Sequence, residues 1–119
     1  MRQPVHHSIS YIEIGVTDLA AARSFYESAF GWEFNDYGPT YCGIRSADGE
    51  SEVGGLDAGT APSEYGPLVL LYSHDLDATV EAVKEAGGTI VGTPYDYPGG
   101  RRFEFLDPSG NRLGVFTEQ

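Results

Sequence analysis

Tyr11 and Glu13 lie two residues apart in Ile-Ser-Tyr-Ile-Glu-Ile-Gly-Val, residues 9–16, and in an extended chain residues at that spacing share a face. A carboxylate on a partly enclosed face can have its pKa raised by burial and act as a general base. A neighbouring phenol can donate a hydrogen bond to a substrate oxygen. Each residue also has a plain structural role open to it: Glu13 can pair with a cation such as Arg45, and Tyr11 can fill space. Ile12 and Ile14 alternate with this pair and are expected to pack beneath a helix, which leaves Ile9, Tyr11 and Glu13 on the open side.

A second apolar segment alternates in the same way, with Leu68, Leu70 and Tyr72 on one side and Val69 and Leu71 behind them. Tyr41, Tyr65, Tyr95 and Tyr97 fall near expected loops, and Tyr-Asp-Tyr-Pro-Gly-Gly, residues 95–100, is expected to form a mobile rim. Ring faces attract positive charge, so such a rim suits flat or cationic ligands; turn tyrosines also occur exposed with no ligand at all. Arg101 and Arg102 follow the rim, where they can hold a carboxylate or serve as ordinary surface cations.

Other reactive groups offer less. His6 and His7 would point to opposite sides of an extended chain, His74 sits in a turn, and no Ser-His-Asp spacing can be drawn. Cys42 is the only cysteine, which rules out an intrachain disulfide and a Cys-rich metal site. With no His or helix start nearby to activate it, Cys42 is expected in the interior. Gly54-Gly55 and Gly99-Gly100 lack the Lys-Ser/Thr that completes a phosphate-binding loop.

The elements that must position these residues are written twice. The segment 9–16 is rich in β-branched residues, Asp18 can cap a helix, and Leu19, Ala22, Tyr26 and Ala29 recur at helical spacing until Gly31. Strands are expected over 32–37, 40–46 and 51–56, separated by the turn signals Gly38-Pro39 and Asp48-Gly49. After a connector the order returns: a strand over 68–72, a helix from Asp75 to Gly87-Gly88, then strands over 89–92, 102–106 and 112–117. Asp75 follows Asp18, and Gly88 follows Gly31, by the same 57 residues. The reading is an α+β chain of two βαβββ modules in a single domain, 1–119, with modules at about 8–57 and 67–117 and a connector at 58–66.

A formal net charge of −11 with only seven Lys and Arg argues against nucleic acid and anionic membranes, because phosphate contacts need clustered cations. No apolar run suits export, and none approaches the ~18 residues of a membrane span. A cytoplasmic protein is expected.

Val16-Thr17-Asp18-Leu19 to Phe25-Tyr26, Phe105-Leu106-Asp107-Pro108-Ser109-Gly110-Asn111, Phe30-Gly31-Trp32 and Asn111-x-x-Gly114, in this order on two βαβββ modules, resemble the vicinal-oxygen-chelate superfamily of glyoxalase and bleomycin-resistance proteins. The resemblance implies a ligand cup on the concave sheet faces, reached by Tyr11, Glu13, Leu68, Leu70 and Tyr72, and a homodimer. It also implies four metal-ligand positions, which fall here on Tyr11, Gly54, Leu68 and Gly114. None is a usual ligand, and a shift of two residues along the first strand of each module offers only Glu13 and Leu70. No metal and no cofactor is therefore expected. The favoured function is metal-independent binding of a small aromatic or cationic molecule, of the antibiotic-sequestering kind. The alternatives are a metal-free lyase or isomerase with Glu13 as base and Tyr11 as partner and, last, a divalent-metal lyase or dioxygenase.

Overall fold

The computed structural model describes residues 5–7 and 9–118. Asp18 and Asp75 are extended, and their carboxylates accept from the amides of Ala21 and Ala78, opening α1 (Leu19–Phe30) and α2 (Leu76–Ala86). Gly31 and Gly87 close these helices in the left-handed conformation, φ 71° and 103°, where a side chain would be strained. Around α1 stand β1 (Ile12–Gly15), β2 (Phe34–Asp36), β3 (Tyr41–Arg45) and β4 (Glu52–Asp57). Around α2 stand β5 (Leu70–Tyr72), β6 (Thr89–Tyr97), β7 (Gly100–Leu106) and β8 (Arg112–Glu118). The sheets are ordered β1-β4-β3-β2 and β5-β8-β7-β6. In each, the first strand lies parallel to the last and the other pairs are antiparallel. The expected α+β arrangement of two βαβββ modules is the observed one.

Strand alternation sorts the side chains. Ile14, Cys42, Ile44 and Leu56 from the first sheet and Phe103, Phe105, Leu113 and Val115 from the second are buried, in one cluster with Phe25, Tyr26, Val80 and Val83 of the helices. Both modules thus share a core, and α1 packs directly on α2. Phe25 reaches Phe105 at 6.0 Å between ring centroids, and Tyr26 stacks on Trp32 at 4.5 Å. Cys42 is buried as expected, and burial pushes its thiol pKa up.

The turn after β7 fastens one module to the other. Asp107, itself buried, accepts through Oδ1 from the amides of Ser109 and Asn111, and through Oδ2 from the Tyr26 hydroxyl (2.9 Å) and Asn111 Nδ2 (3.0 Å). Asn111 Nδ2 also donates to the Gly15 carbonyl at 2.6 Å, and Asn111 Oδ1 accepts from the Ser63 amide at 2.8 Å. Ser109 Oγ takes the Thr17 amide. One turn therefore holds α1, the end of β1 and the connector together, and a cavity of about 300 Å³ beside it is lined by Ile12, Ile14, Ala61, Val69 and Leu113.

Three strands differ most from the sequence expectation. The strand placed at 89–92 runs to Tyr97, so Tyr95-Asp96-Tyr97 is not a mobile rim: Tyr97 pairs with Gly100, making a hairpin. Gly92, at φ 69°, sits inside a register shift between Val91 and Tyr95. A glycine in that conformation lets the strand bulge and continue instead of ending. The strands starting at Ile9 and Leu68 are shorter than expected, so Tyr11 and Leu68 precede the paired residues of β1 and β5.

Candidate functional site

On the first module, Glu13, Gly55, Gly43 and Asn35 form one cross-strand row on the side away from the helices. The glycines leave a floor over which larger neighbours lie flat. A Cβ on Gly55 would stand 2.0 Å from the Tyr41 hydroxyl, and one on Gly43 would strike the Glu52 carboxylate. Glu52 reaches this face through a bulge: Ile44 pairs with Gly54 but Arg45 pairs with Glu52, so Val53 is skipped and the alternation flips.

Glu52 Oε1 accepts from Tyr37 (2.8 Å) and Asn35 Nδ2 (3.1 Å), and Oε2 from Tyr11 (3.2 Å). The Tyr11 and Tyr41 hydroxyls meet at 2.6 Å, and Tyr41 reaches Glu13 Oε2 at 3.0 Å. Burial pushes the Glu52 carboxyl up, but hydrogen bonds from Asn35, Tyr37 and Tyr11 outweigh it and hold the group below the usual range. Burial, followed by the hydrogen bonds to Tyr11 and Glu13, pushes Tyr41 far above the ordinary tyrosine value; burial also leads the upward shift of Tyr11. The phenols therefore keep their protons at neutral pH. Glu13–Tyr41, Tyr41–Tyr11 and Tyr11–Glu52 are three contacts in series served by two phenolic hydrogens. With both carboxylates ionised, one contact has no hydrogen.

A glycine-to-alanine change tests this floor. Gly55→Ala is expected to push the Tyr41 ring off its seat and cost about 1–3 kcal/mol of stability; a variant with an unchanged melting midpoint would show that the ring has room to move.

The second module presents a different surface. Leu70, Gly114 and Glu104 form one row, and Tyr72, Phe116, Arg102 and Tyr95 the next. Gly114 lacks the Cβ that would crowd Leu70, at 2.6 Å. Arg112 donates to Glu104 Oε1 from two nitrogens, at 2.6 and 2.8 Å, and Tyr95 donates to Oε2 at 2.6 Å. These bonds, Tyr95 first and Arg112 next, hold Glu104 below the usual carboxylate range.

A carboxyl with a lowered folded-state pKa stabilises the fold above the unfolded-chain value, about 4.3 for Glu. That contribution is lost as pH falls through the lowered value. The melting midpoint is accordingly expected to drop between about pH 5 and pH 3, with a shallower slope in Glu104→Gln. Equal slopes in the two proteins would exclude Glu104 as a contributor.

Of the residues singled out from the sequence, Tyr11, Glu13 and Tyr41 meet on the first face, and Leu70, Tyr72, Tyr95, Tyr97, Arg102 and Gly114 gather on the second module. Leu68 is exposed just before β5. Arg45 does not meet Glu13; it pairs with Glu33 at 3.5 Å and donates to the Gly49 carbonyl. Glu13 is exposed, so the chain by itself does not supply the burial expected to make it a base. Sequence reasoning missed Glu52, Tyr37, Asn35, Glu104, Arg112 and Phe116.

The family model for the Glyoxalase/Bleomycin resistance protein/Dioxygenase superfamily matches residues 8–115. The chain belongs to this superfamily. It is 32% identical over 116 residues to the anthracycline biosynthesis protein DnrV of Streptomyces peucetius, covering 91% of this chain but 40% of DnrV. It is also 30% identical to a glyoxylase-like domain-containing protein of Didymella fabae, over 95% of each chain. The first curated relatives it matches are thus more than twice its length. Among solved structures it is similar to a superfamily enzyme from Burkholderia phytofirmans (TM-score 0.78, 21% identity, 94% of this chain and 99% of that one). TnmS3, an antibiotic binding protein from a Streptomyces species, follows the same fold (TM-score 0.71, 23% identity, 98% and 100%).

The divalent metal of the superfamily's metalloenzymes does not fit these residues. Gly54 faces the helix side, where a Cβ would meet Ile44 and the Ile12 carbonyl, so the position carried over to it belongs instead to Glu52 or Gly55. Glu13 and Glu52 share the first face, but the second offers Leu68, Leu70 and Gly114, with Glu104 already held by Arg112. Among the described residues no group of three or more His, Cys, Asp or Glu is placed to hold a metal ion.

Proposed function

We propose that this chain is a metal-independent binding protein for a small aromatic or cationic organic molecule, taken up on the concave face of the first module. The observation that carries the reading is the missing hydrogen in the Glu13–Tyr41–Tyr11–Glu52 series. A ligand ammonium seated between Glu13 and the Tyr41 oxygen and donating to both would take over that contact and free Tyr41 to donate to Tyr11, and Tyr11 to Glu52, so every oxygen in the series would share a hydrogen. Charge-assisted bonds of this kind are about twice as strong as neutral ones, and the tyrosine rings suit a cationic aromatic body. The antibiotic-binding role of TnmS3 and the anthracycline association of DnrV agree with this class of ligand.

A homodimer belongs to the same proposal, since Ile12 and Leu68, on or just before the edge strands β1 and β5, stay exposed in the single chain and a second copy would cover them; light scattering on the eluted protein tests it. Thermal shift and calorimetry with 2-naphthylmethylamine, against its neutral alcohol and against Ni, Zn, Fe and Mn ions, test the ligand class. Binding of the amine in preference to the alcohol supports the reading. A midpoint raised by a metal and not by the amine overturns it.

The pairing of Glu13 with a phenol favours one second reading, a metal-free lyase or isomerase in which Glu13 removes a proton and a tyrosine polarises an oxygen. Glu13→Gln would then abolish turnover with the fold intact, whereas a binding protein would lose only affinity.

A further inference from the structure

We propose that the second module's concave face is a separate recognition site for a carboxylate carried on a flat apolar body, with Arg102 as the carboxylate's partner. Tyr72, Phe116, Arg102 and Tyr95 form one cross-strand row over all four strands, and side chains so placed are neighbours on one face. Tyr72 and Phe116 meet edge to face at 5.5 Å, and Tyr72 is 59% exposed, so an aromatic platform stands open beside the guanidinium.

The guanidinium is held before any ligand arrives. It lies over the rings of Tyr95 and Tyr97, at 5.4 and 5.6 Å, and its Nε donates to the Tyr95 hydroxyl at 2.6 Å. Its terminal nitrogens make no hydrogen bond among the described residues; the nearest anion, Glu104, stands 3.9 Å away and is already occupied by Arg112 and Tyr95. Those terminal nitrogens form the end-on fork that matches a carboxylate. Glu104 and Glu64 act on Arg112 and balance the cluster's charge, and Arg102 keeps its terminal nitrogens unbonded in a chain whose net charge is −11. Acids beyond about 8 Å are screened at physiological ionic strength, so what a ligand meets at close range is the Arg102 guanidinium itself. Fixing an arginine in advance removes part of the ordering cost of binding.

Calorimetry of the whole chain with 2-naphthoate and its uncharged counterpart 2-naphthamide tests the site. The acid is expected to bind at least about tenfold more tightly than the amide, as a charge-assisted fork provides. Arg102→Met is expected to abolish that preference while leaving the amide's weak affinity in place. Arg102→Lys, which keeps the charge without the fork and serves if Arg102→Met does not fold, is expected to lose most of it. Equal binding of acid and amide, no binding of the acid at millimolar concentration, or a preference that survives in a folded Arg102→Met or Arg102→Lys protein each overturns the proposal.

Discussion

Asp107→Ala is expected to lower the melting midpoint by about 10–25 °C, the largest stability effect of any single change to a polar residue described above. Four donors converge on this carboxyl group: the amides of Ser109 and Asn111, the Asn111 side chain and the Tyr26 hydroxyl. Tyr26 is fully buried and Asn111 is 5% exposed, so neither can exchange the lost acceptor for bulk water. A buried donor left unsatisfied costs about 1–3 kcal/mol, and two or more such groups give about 3–5 kcal/mol of a total that is about 5–15 kcal/mol for a domain. Asp107→Asn restores one acceptor oxygen but turns an NH2 group toward donors, so an intermediate loss is expected. A midpoint within about 3 °C of the parent after Asp107→Ala would show that the turn does not fasten the modules.

The second large effect is on binding. Glu52→Gln keeps the shape of the side chain and an acceptor for Tyr37 and Asn35 but removes the charge on which Asn35, Tyr37 and Tyr11 converge. Affinity for a protonated aromatic amine is expected to fall ten- to a hundredfold, about 1.4–2.8 kcal/mol, with little change in affinity for the neutral alcohol. Titration of 2-naphthylmethylamine into both proteins measures this. An unchanged constant for the amine would remove the first module's face from recognition of cations. Loss of affinity for amine and alcohol alike would point to a collapsed face in place of a lost charge.

The helices were legible because their ends are local: a capping Asp and a left-handed Gly act on backbone groups within one turn, so Asp18, Gly31, Asp75 and Gly87 could be read directly. The module order was legible because it is repeated. Half of the first face was not. Strict alternation places Val53, not Glu52, beside Gly55, and only the bulge at Arg45 reverses this. Glu52 left one usable signal, an acidic residue at the head of a glycine-rich strand. The hairpin at Tyr97 was missed for a related reason, since Gly92 and Pro94 look like the end of a strand until a bulge carries it past them. Asp107 and Asn111 stood out in the sequence as a turn, yet their reach to Tyr26, Gly15 and Ser63 depends on long-range packing that spacing does not disclose.

Gly43 and Glu104 are paired with Gly55 and Gly114 at matching places in the two sheets, and the contrast between them has a practical side. One module leaves the position empty and the other plants a carboxylate there, while the residues facing the helices stay apolar in both. The cups can therefore be rewritten without disturbing what lies beneath them. For directed evolution this makes positions 35, 37, 41 and 52 a natural randomisation set, in which new binders can be selected while most library members still fold.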